Sequence, residues 1–320
     1  MFTLRSALPV LVAGLTACTG TRALRLENDI GDLENDYDHN TELRWWLPEA
    51  DAGPVARAYS RSTLVAALVG ETAPDTEASV RLRLGQKMLV PVDISTPTPD
   101  PTDRPYAGWL HAGLAAERLT LDADPLRRSD RRASVELDLG VVGPSSLADH
   151  VMIEWHHFWE LADPNGWDSQ LKDEPALLFS VERDRRLGYG RVGEDHAWDL
   201  AGYFDWSLGS LRTKAALGGS ARFGKDLARD FPLRSAPRGA GGGSLFAIGE
   251  VRYVLQDLFL DGNTWRAGPS VDKLPIVGDI GLGFEFDVLG VHLRLAHIWR
   301  SKEFEGQVGT RAVWVLDLGL

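Results

Sequence analysis

Cysteine is what this chain has least of. Its 320 residues include one, Cys18, so no internal disulfide can form. Past the N-terminal segment no apolar run approaches the ~18 residues of a transmembrane helix, so any crossing of a membrane must be made by strands. Basic charge is short too. Against 46 Asp and Glu stand 34 Lys and Arg, a net charge of −12 that argues against a nucleic-acid partner. Signatures of familiar hydrolases are also missing. There is no HExxH and no cysteine pair for a zinc centre, and no GxSxG to present a serine nucleophile. The chain ends on Leu320, without the terminal aromatic common on outer-membrane barrels.

Tryptophan and glycine are plentiful, at 11 and 33 residues. Trp is rich at lipid–water interfaces, and Gly suits tightly packed strands and turns. The N-terminus reads as a targeting segment, with Arg5 ahead of an apolar core from Ala7 to Leu15. Leu15-Thr16-Ala17-Cys18 resembles a lipoprotein cleavage box, which would make Cys18 a lipidated first residue. An ordinary signal peptide over residues 1–23 fits equally well, and both readings export the chain.

Downstream, apolar and polar residues alternate with period two in about twelve segments. Ile280, Leu282, Phe284, Phe286 and Val288 alternate with Asp279, Gly281, Gly283, Glu285 and Asp287. Val135, Leu137, Leu139 and Val141 do the same against Ser134, Glu136, Asp138 and Gly140. Similar strands are expected near 24–29, 41–47, 80–85, 106–119, 176–186, 197–208, 213–223, 245–255, 291–296 and 311–320. A soluble sandwich shows the same alternation. Export, Trp content and strand length favour an all-β antiparallel transmembrane barrel over residues 24–320. Residues 49–75 read as a less regular connection, and the Gly-, Arg- and Pro-rich stretch 229–244 as a mobile loop.

One insertion breaks the pattern. Gly143-Pro144 stops a strand, Ser145 or Ser146 can cap a helix, and the helical reading runs to about Leu161 before the turn Asp163-Pro164-Asn165-Gly166. This helix carries His156 and His157. Either histidine can be structural. His156 can also be a general base, since imidazole titrates near neutrality. Glu160 lies four residues after His156, which allows half of a zinc site on one helix face. Earlier, Glu27-Asn28-Asp29 closes the first strand with hard oxygen ligands that suit calcium, although such residues also simply form turns. The acidic loop Asp32, Glu34, Asp36, Asp38 lacks the glycine and terminal Glu of an EF-hand.

Several stretches, in order and spacing, resemble the outer-membrane lipid A 3′-O-deacylase family. They are Glu27-Asn28-Asp29, Gly85-Gln86, the run from Asp103 to Leu110, the run from Gly140 to Pro144, His156, the run from Gly166 to Leu171, the run from Leu258 to Asn263 and the run from Lys302 to Gln307. The resemblance implies a twelve-stranded barrel in a Gram-negative outer membrane. It implies an active site between the wall and a loop helix, and hydrolysis of the ester holding the 3′ acyl chain of lipid A. It assigns His156 to activating water, Asn28 and Asp29 to calcium and the substrate carbonyl, and lipid A or lipopolysaccharide as partner, with the surrounding outer-membrane lipids; a monomer is expected. Asp168 and Gln170 would order the loop; His39, Glu160 and Asp163 are accessory candidates. The chain departs from the family pattern at Met152 (a Gln there), His39 (a Thr), Thr96 (a Lys) and Ala162 (an acidic residue). Two other readings remain: a non-catalytic barrel, either pore or structural, and a zinc-dependent hydrolase using His156 and Glu160.

Overall fold

The computed structural model describes residues 20–28, 38–70, 75–124, 128, 130–238 and 242–319. Residues 1–19 of the expected leader, Cys18 among them, Asp29 and the acidic-loop positions 32–36 lie outside them. Twelve strands form one closed antiparallel barrel, each paired with its sequence neighbours. They are β1 (Thr21–Asn28), β2 (Asp38–Pro48), β3 (Thr76–Leu89), β4 (Ala107–Thr120), β5 (Arg131–Val142), β6 (Glu174–Val192), β7 (His196–Gly209), β8 (Arg212–Lys225), β9 (Gly243–Asp257), β10 (Ile276–Val288), β11 (Val291–Arg300) and β12 (Arg311–Gly319). β1 closes on β12 in a register running from Ala23 opposite Gly319 to Asn28 opposite Trp314. All twelve expected strands are present, several extended. β1 starts at Thr21, ahead of the leader boundary expected at residue 23.

Strand alternation places charge inside and hydrocarbon outside. Arg44, Arg81, Arg132, Glu136, Asp138, Arg222, Arg294 and Asp317 are buried, while Leu84, Leu139, Leu208, Leu217, Leu255 and Ile280 are exposed. A protein surrounded by water would have the opposite arrangement, so this surface is made to be covered by lipid. Among the described residues no helix is long and apolar enough to cross a membrane; the strands make the crossing.

The lumen is filled. Arg132 bonds Glu117, Glu182 and Asp184 at 2.7–2.8 Å. Arg222 joins Asp199 and Asp230, and Arg294 joins Asp230 and Glu285. Residues 229–238, expected as part of a mobile loop, instead enter the barrel from the end that carries the chain termini. Asp230, Phe231 and Ser235 are buried there. Arg234 bonds Asp184 at 2.5 Å, and the Leu233 carbonyl accepts from Arg25 at 2.6 Å. Composition suggested mobility, but buried ion pairs across the lumen hold this loop in place. At the opposite mouth Leu89, Trp109, Val142, Leu171, Leu258 and Phe259 pack together. A cavity of about 340 Å³ remains inside the barrel, bordered by Phe231, Leu233 and Arg234 of the plugging loop.

The connection 49–75 contains two helices that the sequence pattern did not disclose, α1 (Pro54–Ser60) and α2 (Thr63–Val69). Each has seven residues, too few to display a 3.6-residue period clearly. Pro54 starts α1, Ser62 caps α2 by accepting from the Val65 N–H, and Gly70 ends it at φ 90°. Val65 packs against Ala116, Val135 and Val181, all on the outward face of β4–β6, so the pair lies on the outside of the wall. Their joint is polar. Glu49 accepts from Ser60, Arg61 and Arg118. Burial alone would push its carboxyl up, but those hydrogen bonds and the Arg118 charge hold it below its usual range.

A plugged lumen should not conduct. Reconstituted in planar bilayers, the protein is expected to give no steady ion current; a stable porin-like conductance would show that the loop does not occupy the barrel.

Candidate active site

The inserted helix is α3 (Ala148–Trp159), preceded by a short 3-10 turn, Pro144–Ser146. Neither Ser145 nor Ser146 caps it. The Ser145 hydroxyl turns to Asp173 at 2.9 Å, the Ser146 hydroxyl donates to the Gly143 carbonyl, and Leu147 enters the helix in a left-handed conformation. The serines instead fasten the loop to itself.

α3 lies against the outer wall at the end away from the termini. Gly108 on β4 makes this approach possible: a Cβ there would fall 2.1 Å from Ser146 Oγ and 2.3 Å from Ala148 Cβ. Gln86 on β3 donates to the Ser146 carbonyl at 2.7 Å. Met88, Val90, Tyr106, Ala148, Met152 and Trp167 form the apolar seam between helix, wall and loop. Tyr106 packs on Trp167 with ring centres 4.9 Å apart, and burial pushes its phenol up to about 12.

His156 lies four residues beyond Met152, and it is 2 % exposed. Glu160 ends the helix at φ 55°, and the chain turns back so that the Ala162 carbonyl meets His156 Nδ1. A carbonyl only accepts, so Nδ1 carries the proton and the lone pair of the neutral ring lies on Nε2. His157 points elsewhere. It is exposed and pairs with Asp163 at 3.0 Å, so Asp163 serves His157 rather than His156. Glu160, the partner that the alternative zinc reading gives to His156, is exposed while His156 is buried. Among the described residues no three His, Cys, Asp or Glu side chains converge as a metal cluster.

Asn28 and His39 are register partners at the ends of β1 and β2. The inward positions of these strands hold Glu27, Asn40 and Glu42, so Asn28 and His39 face outward, as α3 does. The His39 ring meets that of Trp155, next to His156, at 5.2 Å. Asn28 Oδ1 is buried and has no hydrogen-bond partner among the described residues. The next residue, Asp29, lies outside them. Thr96 is half-buried and bonds within its own loop, Asp168 is exposed, and Gln170 is buried beneath the loop. Sequence reasoning did not single out Trp155, nor Trp314 and His297, whose rings meet at 4.4 Å beside Asn28. The crowding of aromatics and histidines in Glu154-Trp155-His156-His157-Phe158-Trp159 was the available signal for the first of these.

The loop end is braced by one carboxylate. Glu303 accepts from Arg104 at 2.8 Å and Arg311 at 2.9 Å, with Arg300 at 3.7 Å. Burial would push Glu303 up, but Arg300, Arg104 and Arg311 outweigh it and hold the carboxyl well below its usual range.

An outward-facing polar site under a loop helix, on a barrel with a lipid-covered wall and a plugged lumen, defines an outer-membrane protein whose candidate site lies on the lipid-facing side. The comparisons agree with that class. The family described as "Outer membrane protein LpxR" matches residues 2–316, and the chain belongs to it. This is the lipid A 3′-O-deacylase family, and the protein is placed in the Gram-negative outer membrane. LpxR from Salmonella typhimurium shares the fold at 16% identity and a TM-score of 0.70, covering 94% of this chain and 99% of that one. The β domain of the Bordetella autotransporter BrkA is more distant, at 11% identity and a TM-score of 0.48, covering 94% and 97%. Compared with curated proteins, the chain has no match.

Two outcomes are expected. Gly108→Val should displace α3 and abolish turnover while the barrel keeps its heat-modifiable gel mobility, at an overpacking cost of about 1–3 kcal/mol. Unchanged turnover would mean that the helix does not need its contact with β4. For Glu303 the folded pKa is depressed. Its stabilisation is therefore complete above the ordinary carboxylate range and lost as pH falls through the depressed value. Limited proteolysis of the 301–310 loop should accelerate in acid, and Glu303→Gln should show that acceleration already at neutral pH.

Proposed function

We propose that this protein hydrolyses the ester that holds the 3′ acyloxyacyl chain of lipid A, with His156 as general base. The observation that carries the reading is the fixed orientation of one buried ring. With Nδ1–H committed to Ala162, Nε2 is the basic atom, and the helix holding it lies on the outer wall beside Asn28 and His39. A substrate anchored in the membrane can enter that groove without leaving the lipid.

Nε2 takes a proton from water as the water oxygen bonds to the ester carbonyl carbon and the C=O electron pair moves onto its oxygen. Collapse restores the carbonyl and breaks its bond to the 3′ oxygen, and Nε2–H returns the proton to that oxygen. The products are a free fatty acid and a 3′ hydroxyl. Val151, Phe158, Trp159 and Leu161 on and beside α3 are exposed apolar groups suited to the acyl chains and the interface.

Calcium is the cofactor we assign. The buried Asn28 Oδ1, without a hydrogen-bond partner among the described residues, is a hard oxygen donor of the kind calcium takes, and Asp29 would add a carboxylate. Bound calcium would supply Lewis-acid polarisation of the carbonyl and stabilise its oxyanion. With the ladder closed there is no free strand edge requiring a second copy, and we take the protein to act as a monomer.

Mass spectrometry of lipid A from cells with and without the protein tests substrate and position together; unaltered lipid A would refute the assignment. His156→Ala is expected to lower kcat by roughly 100-fold, whereas His157→Ala keeps most activity because that ring is exposed and faces Asp163. Equal, mild losses at both positions would remove His156 as the base. Asn28→Ala should weaken both the calcium dependence of turnover and any calcium-induced rise in thermal stability. If it leaves both intact, the ion is held elsewhere.

A further inference from the structure

The outer wall at the terminal end carries a second lipid-facing feature that the deacylation reading does not use. On β5 the buried residues Arg132, Ser134, Glu136 and Asp138 face the lumen, so Arg131 faces outward. On β6 Glu182 and Asp184 contact Arg132 in the lumen, so Arg183 and Arg185 also face outward. Arg131 and Arg185 are direct register partners, with Arg183 beside Arg185 on the same face. All three are exposed. Like charges directly opposite one another on a sheet destabilise it. Among the described residues neither Arg131 nor Arg185 has an ion-pair or hydrogen-bond partner, and Arg183 reaches only the Leu68 carbonyl, at 2.6 Å. In a chain of net charge −12 acidic side chains to neutralise these guanidinium groups are plentiful, yet none of the described ones pairs with them.

Their surroundings indicate what neutralises them. Further along the same outward face, Val135 and Val181 are covered by α2. The outer sides of α1 and α2 are themselves apolar, with Val55 78% and Leu64 59% exposed. A short helical pair with one face on the wall and apolar groups on the other is an interfacial element that sits among acyl chains and headgroups. Arginines beside it meet the headgroup phosphates, to which guanidinium binds in a bidentate fork. The termini and the helical pair share one end of the barrel, and the candidate active site is at the other. If the active site faces lipid A, the arginines face the opposite, phospholipid leaflet. Only that assignment of leaflet rests on the proposed function.

We infer that Arg131, Arg183 and Arg185, beside α2, form a binding site for the phosphate of an anionic phospholipid. The lipid is retained on the wall, apart from the site of hydrolysis.

The test uses the full-length protein in detergent, with phosphatidylglycerol or phosphatidylcholine of equal chain length added and bound lipid read by native mass spectrometry. The wild type should retain phosphatidylglycerol preferentially. Arg131→Gln/Arg185→Gln should weaken that retention by about fivefold for each arginine removed, with heat-modifiable mobility confirming a folded barrel. Arg183→Gln alone is a milder second variant, expected to lose about fivefold. Turnover on lipid A in mixed micelles should be unchanged in both, which separates this site from His156. An unaltered lipid preference in the double variant would overturn the proposal. So would complete displacement of phosphatidylglycerol by millimolar inorganic phosphate, which would mark a free-anion site.

Discussion

Closure of the ladder is the constraint on which everything else depends. Within lipid no water is available to satisfy a backbone N–H or C=O, so a strand-built protein must pair its first strand with its last. β1 does so with β12 across six residue pairs, from Ala23–Gly319 to Asn28–Trp314. The seam is reinforced from inside, where Asp317 accepts from both Arg25 and Arg44. Once the ladder is closed, side-chain period two leaves only two destinations, lumen and lipid. The leucines, isoleucines and tryptophans on one face become the surface of the protein.

That inversion makes the interior electrostatic rather than hydrophobic. Charges removed from water carry a desolvation cost, and only good geometry and shared partners offset it. The barrel meets this with chains of alternating sign. Arg132 draws on three carboxylates, and Asp230 of the inserted loop lies between Arg222 and Arg294. A loop that reads as disordered by composition therefore completes the lumen, since removing Asp230 would leave two buried arginines each short of a partner. Chemistry inside such a lumen would have to compete with this network. The candidate site instead lies outside, where Gly108 lets a helix approach the wall and an apolar seam through Met88 and Met152 fixes its rotation.

The departures from the family pattern take on physical meaning in this setting. Met152 is part of the seam, so the family's polar residue at that position has been exchanged for packing. Ala162 contributes through its carbonyl, which any residue can supply, and that carbonyl orients His156. His39 brings a ring to Trp155 where the family pattern has a small hydroxyl side chain, so an aromatic contact ties β2 to α3.

Much of this was legible in the sequence. Period-two alternation located all twelve strands, because in a barrel the polarity of each residue is a direct record of which side it faces. The insertion carrying His156 was visible as a break in that period. Helices of seven residues, the plugging loop and the role of Asp163 were not visible. The helices are shorter than their own period can reveal, the plugging loop depends on partners far away in the chain, as when Arg234 meets Asp184, and Asp163 meets His157 through the turn that follows the helix. By itself the sequence determined export, strand number, the polarity of each strand face and the presence of a helical histidine, since each is a local property of residue type and spacing. Only the tertiary structure decided that the lumen is closed, that α3 stands outside the wall, that His156 rather than His157 is oriented by a carbonyl, and that three arginines share one lipid-facing patch. The orientation of His156 follows from the left-handed turn at Glu160 that ends α3; the others follow from ladder register and closure, which bring together residues that no local pattern connects.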